Sequence, residues 1–255
     1  MTNILFASDI DGTLSNRIFI SKDNINTIKK FREQGNYFAV VTGRSIGNIH
    51  SNVLPLCDYF ITATGSSVLD SKYNLLYGKP MAKTTVKNII DIILNSDANH
   101  MVVHGLTDFY FKAITSDSIT KQFAMKVLYG KGISFEEIMK QDIYEISCNI
   151  LKGPSYLQST YEQISQLEEV NVYKNLVSLD IVTKGSDKAN GIRQLDNLKH
   201  FSKVYVMGDA LNDLSMINQF DSYAMASGVK EVKQAAKHVS PSVADALREI
   251  MNTNL

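Results

Sequence analysis

The sequence predicts an α/β protein: a doubly wound parallel sheet flanked by helices, interrupted by an inserted α+β unit. Three observations carry that reading. Short apolar runs of strand length alternate with amphipathic helical segments near both ends of the chain, as buried parallel strands joined by helical crossovers do. The texture then changes near residue 82, where alternating strands and hairpin signals take over, and it returns near 184. Finally, 255 residues with 44% apolar content suffice for one large domain or a domain carrying a substantial insert.

The elements follow in order. "NILFAS" (3–8) reads as a buried strand. "KDNINTIKKFREQG" (22–35) reads as a helix, with Ile25, Ile28 and Phe31 on one face and Gly35 as its stop. "YFAVVT" (37–42) and "CDYFITA" (57–63) are further buried strands, and 67–78 predicts a hairpin turning at Ser71 to Asn74. In the insert, 84–96 is an amphipathic helix, and 100–113 is a pair of strands around Gly-Leu-Thr. Helices are predicted near 118–130, 134–140 and 154–168, and strands at 143–151 and 176–182. The first pattern resumes with a helix (187–198), the strand "KVYVMGD" (203–209), a helix (211–218), a short strand (222–226) and helices at 229–237 and 242–252. The expected division is a core of residues 1–81 and 185–255, with 82–184 inserted.

Composition narrows the function classes. Lys+Arg and Asp+Glu stand at 26 each, so there is no net charge to recommend a nucleic-acid or anionic-membrane partner. Cys57 and Cys148 form no CxxC pair and read as reduced, packed thiols. The run "ILFA", cut off by Asp9, is too short for a leader or a membrane span, so the expectation is a soluble, cytoplasmic protein. Neither G-x-x-x-x-G-K-[ST] nor G-x-G-x-x-G occurs, which disfavours nucleotide and dinucleotide enzymes.

Ligands of open α/β sheets sit beyond the carboxyl ends of the strands. Three apolar runs here end in polar signatures: "SDIDGT", "VVTGR" and "VMGDALND"; a fourth stretch, "TKGSDKANG", opens the last core section. Alone, "DIDGT" is a common Asp-Gly turn, and an aspartate of "GDALND" is an ordinary helix cap. The calcium-loop pattern D-x-[DN]-x-[DN]-G fails at Thr13 and Leu14. Two Asp-rich strand ends in one sheet are a different matter. Crowded carboxylates raise one another's pKa, and a hard divalent cation such as magnesium relieves the crowding.

Together, "DIDGTL", "VVTGR", Lys188 and "GDALND", in that order and with a large insert between the second and third, resemble the four motifs of the haloacid dehalogenase superfamily of phosphohydrolases. The insert is similar to the type-two cap of its Cof-type subfamily. The resemblance implies a Rossmann-like core with a specificity cap, and a phosphatase using Mg2+. It makes Asp9 the nucleophile, Asp11 the general acid/base and Lys188 the cation that neutralises the phosphoryl group. Thr42, Gly43, Gly12 and Asn212 would bind phosphate. Asp9, the backbone carbonyl of Asp11, Asp209 and Asp213 would hold the metal. Two aspartates in one turn then have two tasks: one attacks phosphorus, the other moves protons to the leaving oxygen and from water.

This chain departs from the family pattern at Ala189, where glycine usually follows the lysine, at Thr64-Gly65 and at Ala226-Ser227. Lys184-Gly185 competes with Lys188 for the third motif; the predicted helix start favours Lys188. His100 and His104 share a face of their strand, but no further zinc ligand is evident. His104, Asp108, Tyr110, Glu145 and Lys174 are candidate specificity residues. The expected substrate is a small phosphorylated metabolite, a sugar phosphate foremost. A phosphomutase or phosphotransferase on the same scaffold, and a non-catalytic phospho-ligand sensor, are the competing readings.

Overall fold

The computed structural model describes residues 3–16, 19–115 and 132–253. The first section contains β1 (Ile4–Ser8), α1 (Lys22–Glu33), β2 (Tyr37–Val41), β3 (Tyr59–Thr62), β4 (Ser67–Asp70) and β5 (Leu75–Gly78). Then come α2 (Lys83–Leu94), β6 (His100–His104), β7 (Phe109–Ala113), α3 (Phe135–Ile138), β8 (Glu145–Asn149), α4 (Pro154–Ser165), β9 (Val170–Lys174) and β10 (Ser178–Thr183). The last section holds α5 (Lys188–Lys199), β11 (Lys203–Gly208), α6 (Leu214–Ile217), β12 (Asp221–Met225), α7 (Lys230–Ala235), β13 (His238–Ser240) and α8 (Val243–Thr253).

The core sheet runs β13-β12-β11-β1-β2-β3-β4-β5. Neighbours from β13 to β3 are parallel, while β4 and β5 add an antiparallel hairpin. β1 is buried along its length because both faces of the sheet are covered. Phe6 packs with Ile28 and Phe31 of α1 and Leu247 of α8. Leu5 and Ala7, pointing the other way, pack with Ile192 and Leu195 of α5. β1 pairs with β11 on one side and β2 on the other, so the chain order reverses there. That crevice is where an open α/β sheet receives its ligand.

The second sheet, β7-β6-β8-β10-β9, is antiparallel throughout. Its strands alternate. Met101, Val103, Ile146, Cys148, Leu179 and Ile181 pack with α2 and α4 in their own core. His100, Val102, His104 and Ser147 point the opposite way and line a cavity shared with the core sheet. The two strands of chain joining the sheets run side by side: Lys79 Nζ donates to Lys184 O at 2.6 Å, and Thr183 Oγ1 to Lys79 O at 3.1 Å.

Most expected elements form, with ends shifted by one to three residues. Two strands escape a sequence reading. β9 is a half-exposed edge strand, and β13 has three residues, two of them exposed, so neither shows an apolar run. The expected helix at 211–218 opens as a 3-10 turn, Leu211–Asp213, before α6. The expected helix at 118–130 lies outside the described residues. Both cysteines are free and buried. Among the described residues no helix is long and apolar enough to cross a membrane.

Candidate active site

The β1–β11 ladder extends one residue past Ser8, through Asp9 N–H to Met207 O at 2.9 Å. The chain then turns back, with Leu14 N–H donating to Asp9 O at 3.2 Å and Ser15 N–H to Ile10 O at 2.9 Å. Gly12 has φ +99°, and a Cβ there would strike the Asp209 carboxylate. This turn separates the two aspartates of the motif. Asp9 is 7% exposed; the Asp11 side chain is 46% exposed and points to the cavity mouth.

Asp187 caps α5 by accepting from Asn190 N–H at 2.6 Å, which places Lys188 in the first helical turn. Lys188 is fully buried, with Nζ 2.7 Å from Asp9 Oδ1 and 2.5 Å from Asp213 Oδ1. Asp213 Oδ2 accepts the N–H groups of Asp209 and Ala210 at 2.9 and 3.0 Å. Thr13 Oγ1 donates to Asp209 Oδ1 at 2.8 Å. Burial works against the charge on Lys188, but the Asp213 and Asp9 carboxylates outweigh it and raise its pKa. Burial also drives the Asp9 carboxyl upward against the pull of Lys188, and the Asp213 and Asp11 charges push the same way. Asp209 is raised, first by burial, although Thr13 pulls it back.

One carboxylate oxygen from each of Asp9, Asp209 and Asp213 falls within 4.8 Å of the others. Three hard oxygen donors, with the Asp9 and Asp209 carboxyls driven upward, fit a divalent cation such as magnesium better than a soft metal or zinc. Asp213 already spends both oxygens on Lys188 and two amides, so Asp9 and Asp209 are the freer donors. The Asp11 side chain is outside this group.

Asp11 is instead forked by Arg44: Nε to Oδ2 at 2.8 Å and Nη2 to Oδ1 at 2.9 Å. Arg44 was legible only as the last letter of "VVTGR"; its partner is 33 residues away. Thr42, at the end of β2, is buried, and its Oγ1 accepts from Arg44 N–H at 3.2 Å. Thr42, Gly43 and Asn212 line the cavity beside Asp9 and Asp11. Lys184 is not among the described residues lining the cavity; its carbonyl accepts from Lys79 Nζ. Ala189 is accommodated without exposure in the core beneath the sheet.

The cavity measures about 590 Å³, within the range of small-molecule sites. Among the cap residues singled out from sequence, His104 and Glu145 line it. Asp108 instead meets Gln141, Tyr110 packs on Phe135 behind the sheet, and Lys174 reaches Gln158 outside. Glu145 Oε2 accepts from Thr64 Oγ1 at 2.6 Å, a bond between the two sheets. Thr64 sits at φ 47°, ψ 42°, a left-handed conformation that costs a β-branched residue strain and that asparagine adopts readily. Glu145 packs so closely on Gly43 that a Cβ there would lie 2.9 Å from its Oε1. His104 Nδ1 lies 3.4 Å from Ser45 Oγ, and Gly47 N–H donates to Thr107 O at 2.7 Å.

A pocket lined on its core side by Asp9, Asp11 and Thr42, with Lys188 paired to Asp9 behind it, suits a cation and an anion bound side by side. On a doubly wound sheet with an inserted roof, that describes a capped α/β enzyme of phosphoryl groups. The chain belongs to the haloacid dehalogenase-like hydrolases, whose family model matches residues 6–247. A Bacillus subtilis relative, a 5-amino-6-(5-phospho-D-ribitylamino)uracil phosphatase, is 25% identical, the match covering 96% of this chain and 94% of the relative. An Escherichia coli phosphatase of the same description is 24% identical over 92% of this chain and 89% of its own. The fold is shared with a subclass IIB sugar phosphatase of this superfamily, at TM-score 0.81, 19% identity, and 98% and 99% coverage. It is shared also with a haloacid dehalogenase-like hydrolase of B. subtilis, at TM-score 0.84, 20% identity, and 96% and 99% coverage.

Proposed function

We propose that the protein is a magnesium-dependent phosphomonoester hydrolase of a small sugar or sugar-like phosphate, working through a phosphorylated Asp9. The observation that carries this is Lys188 Nζ, buried between Asp9 Oδ1 at 2.7 Å and Asp213 Oδ1 at 2.5 Å, directly behind the Asp9 that lines the cavity. A fixed cation beside a buried carboxylate draws in an anionic group and orients it for attack.

The Asp9 carboxylate attacks phosphorus, an O–P bond forms, and the bond to the leaving oxygen breaks. Asp11 gives that oxygen its proton, which requires the fork with Arg44 to open or shift. Water then attacks the phosphoryl group on Asp9, Asp11 takes a proton from it, and the Asp9 carboxylate is released with inorganic phosphate. Lys188, Thr42 and the Gly43 backbone hold the phosphoryl oxygens. Asp9, Asp209 and the Asp11 carbonyl would hold magnesium, with Asp213 fixing Asp209 and Lys188. The metal would supply charge screening that lets one anion approach another. Residues 82–184 act as the cap that shuts out water and selects the substrate.

The test is phosphate release from a panel of phosphorylated metabolites with magnesium, repeated after chelation. The ribitylamino-uracil phosphate of the relatives belongs first on that panel. Release that ceases on chelation and returns with magnesium is expected; isomerised phosphate without release would mark a mutase, and binding without either a sensor.

A further inference from the structure

Strand register divides the inner face of the cap into two halves. Phe111, Val102, Ser147 and Asp180 stand in one row across β7, β6, β8 and β10; Ala113, His100, Asn149 and Ser178 form the next. One half is apolar and aromatic, with the His100 ring stacked on Phe111 at 5.1 Å. The other half is hydroxyl, amide and the Asp180 carboxylate. The cavity lining contributed by the cap contains no lysine or arginine among the described residues.

Asp180 is the unusual member. Its Oδ2 accepts from Asn175 Nδ2 at 3.0 Å. No cation pairs with it among the described residues; the lysine of the site, Lys188, is bound to Asp9 and Asp213. Burial pushes its carboxyl up to about 6, with Asn175 and Lys188 pulling back. A partly desolvated carboxylate with one neutral donor carries a cost, and further donors arriving from a ligand offset it. On the phosphatase reading the phosphoryl end of a monoester belongs at Asp9, backed by Lys188, so the group that reaches Asp180 is the alcohol end.

We propose that Asp180 is a specificity-determining residue: it accepts hydrogen bonds from the hydroxyl or amino groups of a neutral, polyhydroxylated leaving group and repels leaving groups carrying a second phosphate or a carboxylate. This rests on the phosphatase reading above. It assigns the substrate to monophosphates whose remaining portion is uncharged and rich in donors.

The experiment compares kcat/KM, with magnesium, for a pentose monophosphate, a hexose bisphosphate and p-nitrophenyl phosphate, whose leaving group has no donor. In Asp180→Asn the ratio of pentose phosphate to aryl phosphate is expected to fall about 10- to 100-fold, as for a lost hydrogen bond to a charged group. The ratio of bisphosphate to pentose phosphate is expected to rise. Asp180→Ser, which keeps an acceptor for Asn175, is expected to shift both ratios the same way. Asn175→Ala, which removes the hairpin bond and keeps the carboxylate, is expected to shift them less. Unchanged ratios in both Asp180 variants, an equal shift in Asn175→Ala, or a wild type that prefers the bisphosphate would each overturn the assignment. Wild-type protein that releases phosphate from none of the three, nor from the ribitylamino-uracil phosphate, brings down the phosphatase reading itself, and the assignment with it.

Discussion

The floor and the roof of the cavity handle charge in opposite ways. At the floor most carboxylates are paired: Lys188 lies between Asp9 and Asp213 and Asp11 is forked by Arg44, while Asp209 is held by the Thr13 hydroxyl. On the roof, Glu145 and His104 are buried and, among the described residues, neither is in an ion pair. Glu145 is pushed well above the usual carboxylate range by burial, with Asp180 adding to the push. His104 is driven down to about 3 by burial and the nearby Arg44, so it is neutral. Paired groups fix geometry; an unpaired surface responds to what is placed on it. On the proposed function, the floor serves the chemistry and the roof the choice of substrate.

Breaking the floor should have the largest effect. Asp9→Asn is expected to abolish turnover even on an aryl phosphate, because an amide does not accept the phosphoryl group as a carboxylate does; steady-state assays at high enzyme concentration check this. Asp209→Ala is next, and should match chelated wild type in activity, with magnesium restoring the wild type alone. Isothermal titration with magnesium should show its binding lost in that variant.

The roof should respond in selectivity and pH dependence instead. Excising residues 82–184 and joining the ends with a short linker is expected to leave a folded core, since the flanking chains already lie together at Lys79 and Lys184. Its substrate ranking should collapse; a preserved ranking would remove the cap from selection. The smallest effect expected is on stability. The Glu145 pKa is raised in the folded protein, so the folded state binds the extra proton, and the folded protein loses stability as pH rises above the unfolded value near 4.5. Glu145→Gln removes that loss while retaining an acceptor for Thr64. Its Tm should exceed that of wild type at pH 8, with the gap closing by pH 4, as scanning calorimetry would show.

The floor was more legible in the sequence than the roof, for a physical reason. "ILFAS" running into "DIDG" announces a buried strand ending in carboxylates, and Asp187 ahead of an amphipathic stretch announces the helix that starts at Lys188. These are local signals. Arg44 escaped a role because its importance depends on Asp11, distant in sequence. On the roof the strand pair at 100–113 was readable, but not which of its residues face the cavity. Antiparallel pairing with β6 decides that, turning Phe111 inward and Tyr110 toward Phe135. Asp180 looked like an ordinary strand residue until register set it across from Ser147. Thr64 was visible as a departure, while its left-handed backbone and its bond to Glu145 were not.

The central claim is that Asp9 carries the phosphoryl group and Asp11 the proton. Asp11→Asn should slow turnover about 100- to 10,000-fold, the usual worth of general acid/base help. With an activated aryl phosphate, whose leaving group needs no proton, Asp9 should still be phosphorylated and only hydrolysis should stall. Mixing that variant with p-nitrophenyl phosphate, quenching early and mapping peptides by mass spectrometry tests this directly. The account predicts a burst of nitrophenol and one added phosphoryl group on the peptide containing Asp9. A phosphoryl group on another residue, or a burst that survives Asp9→Asn, would contradict it.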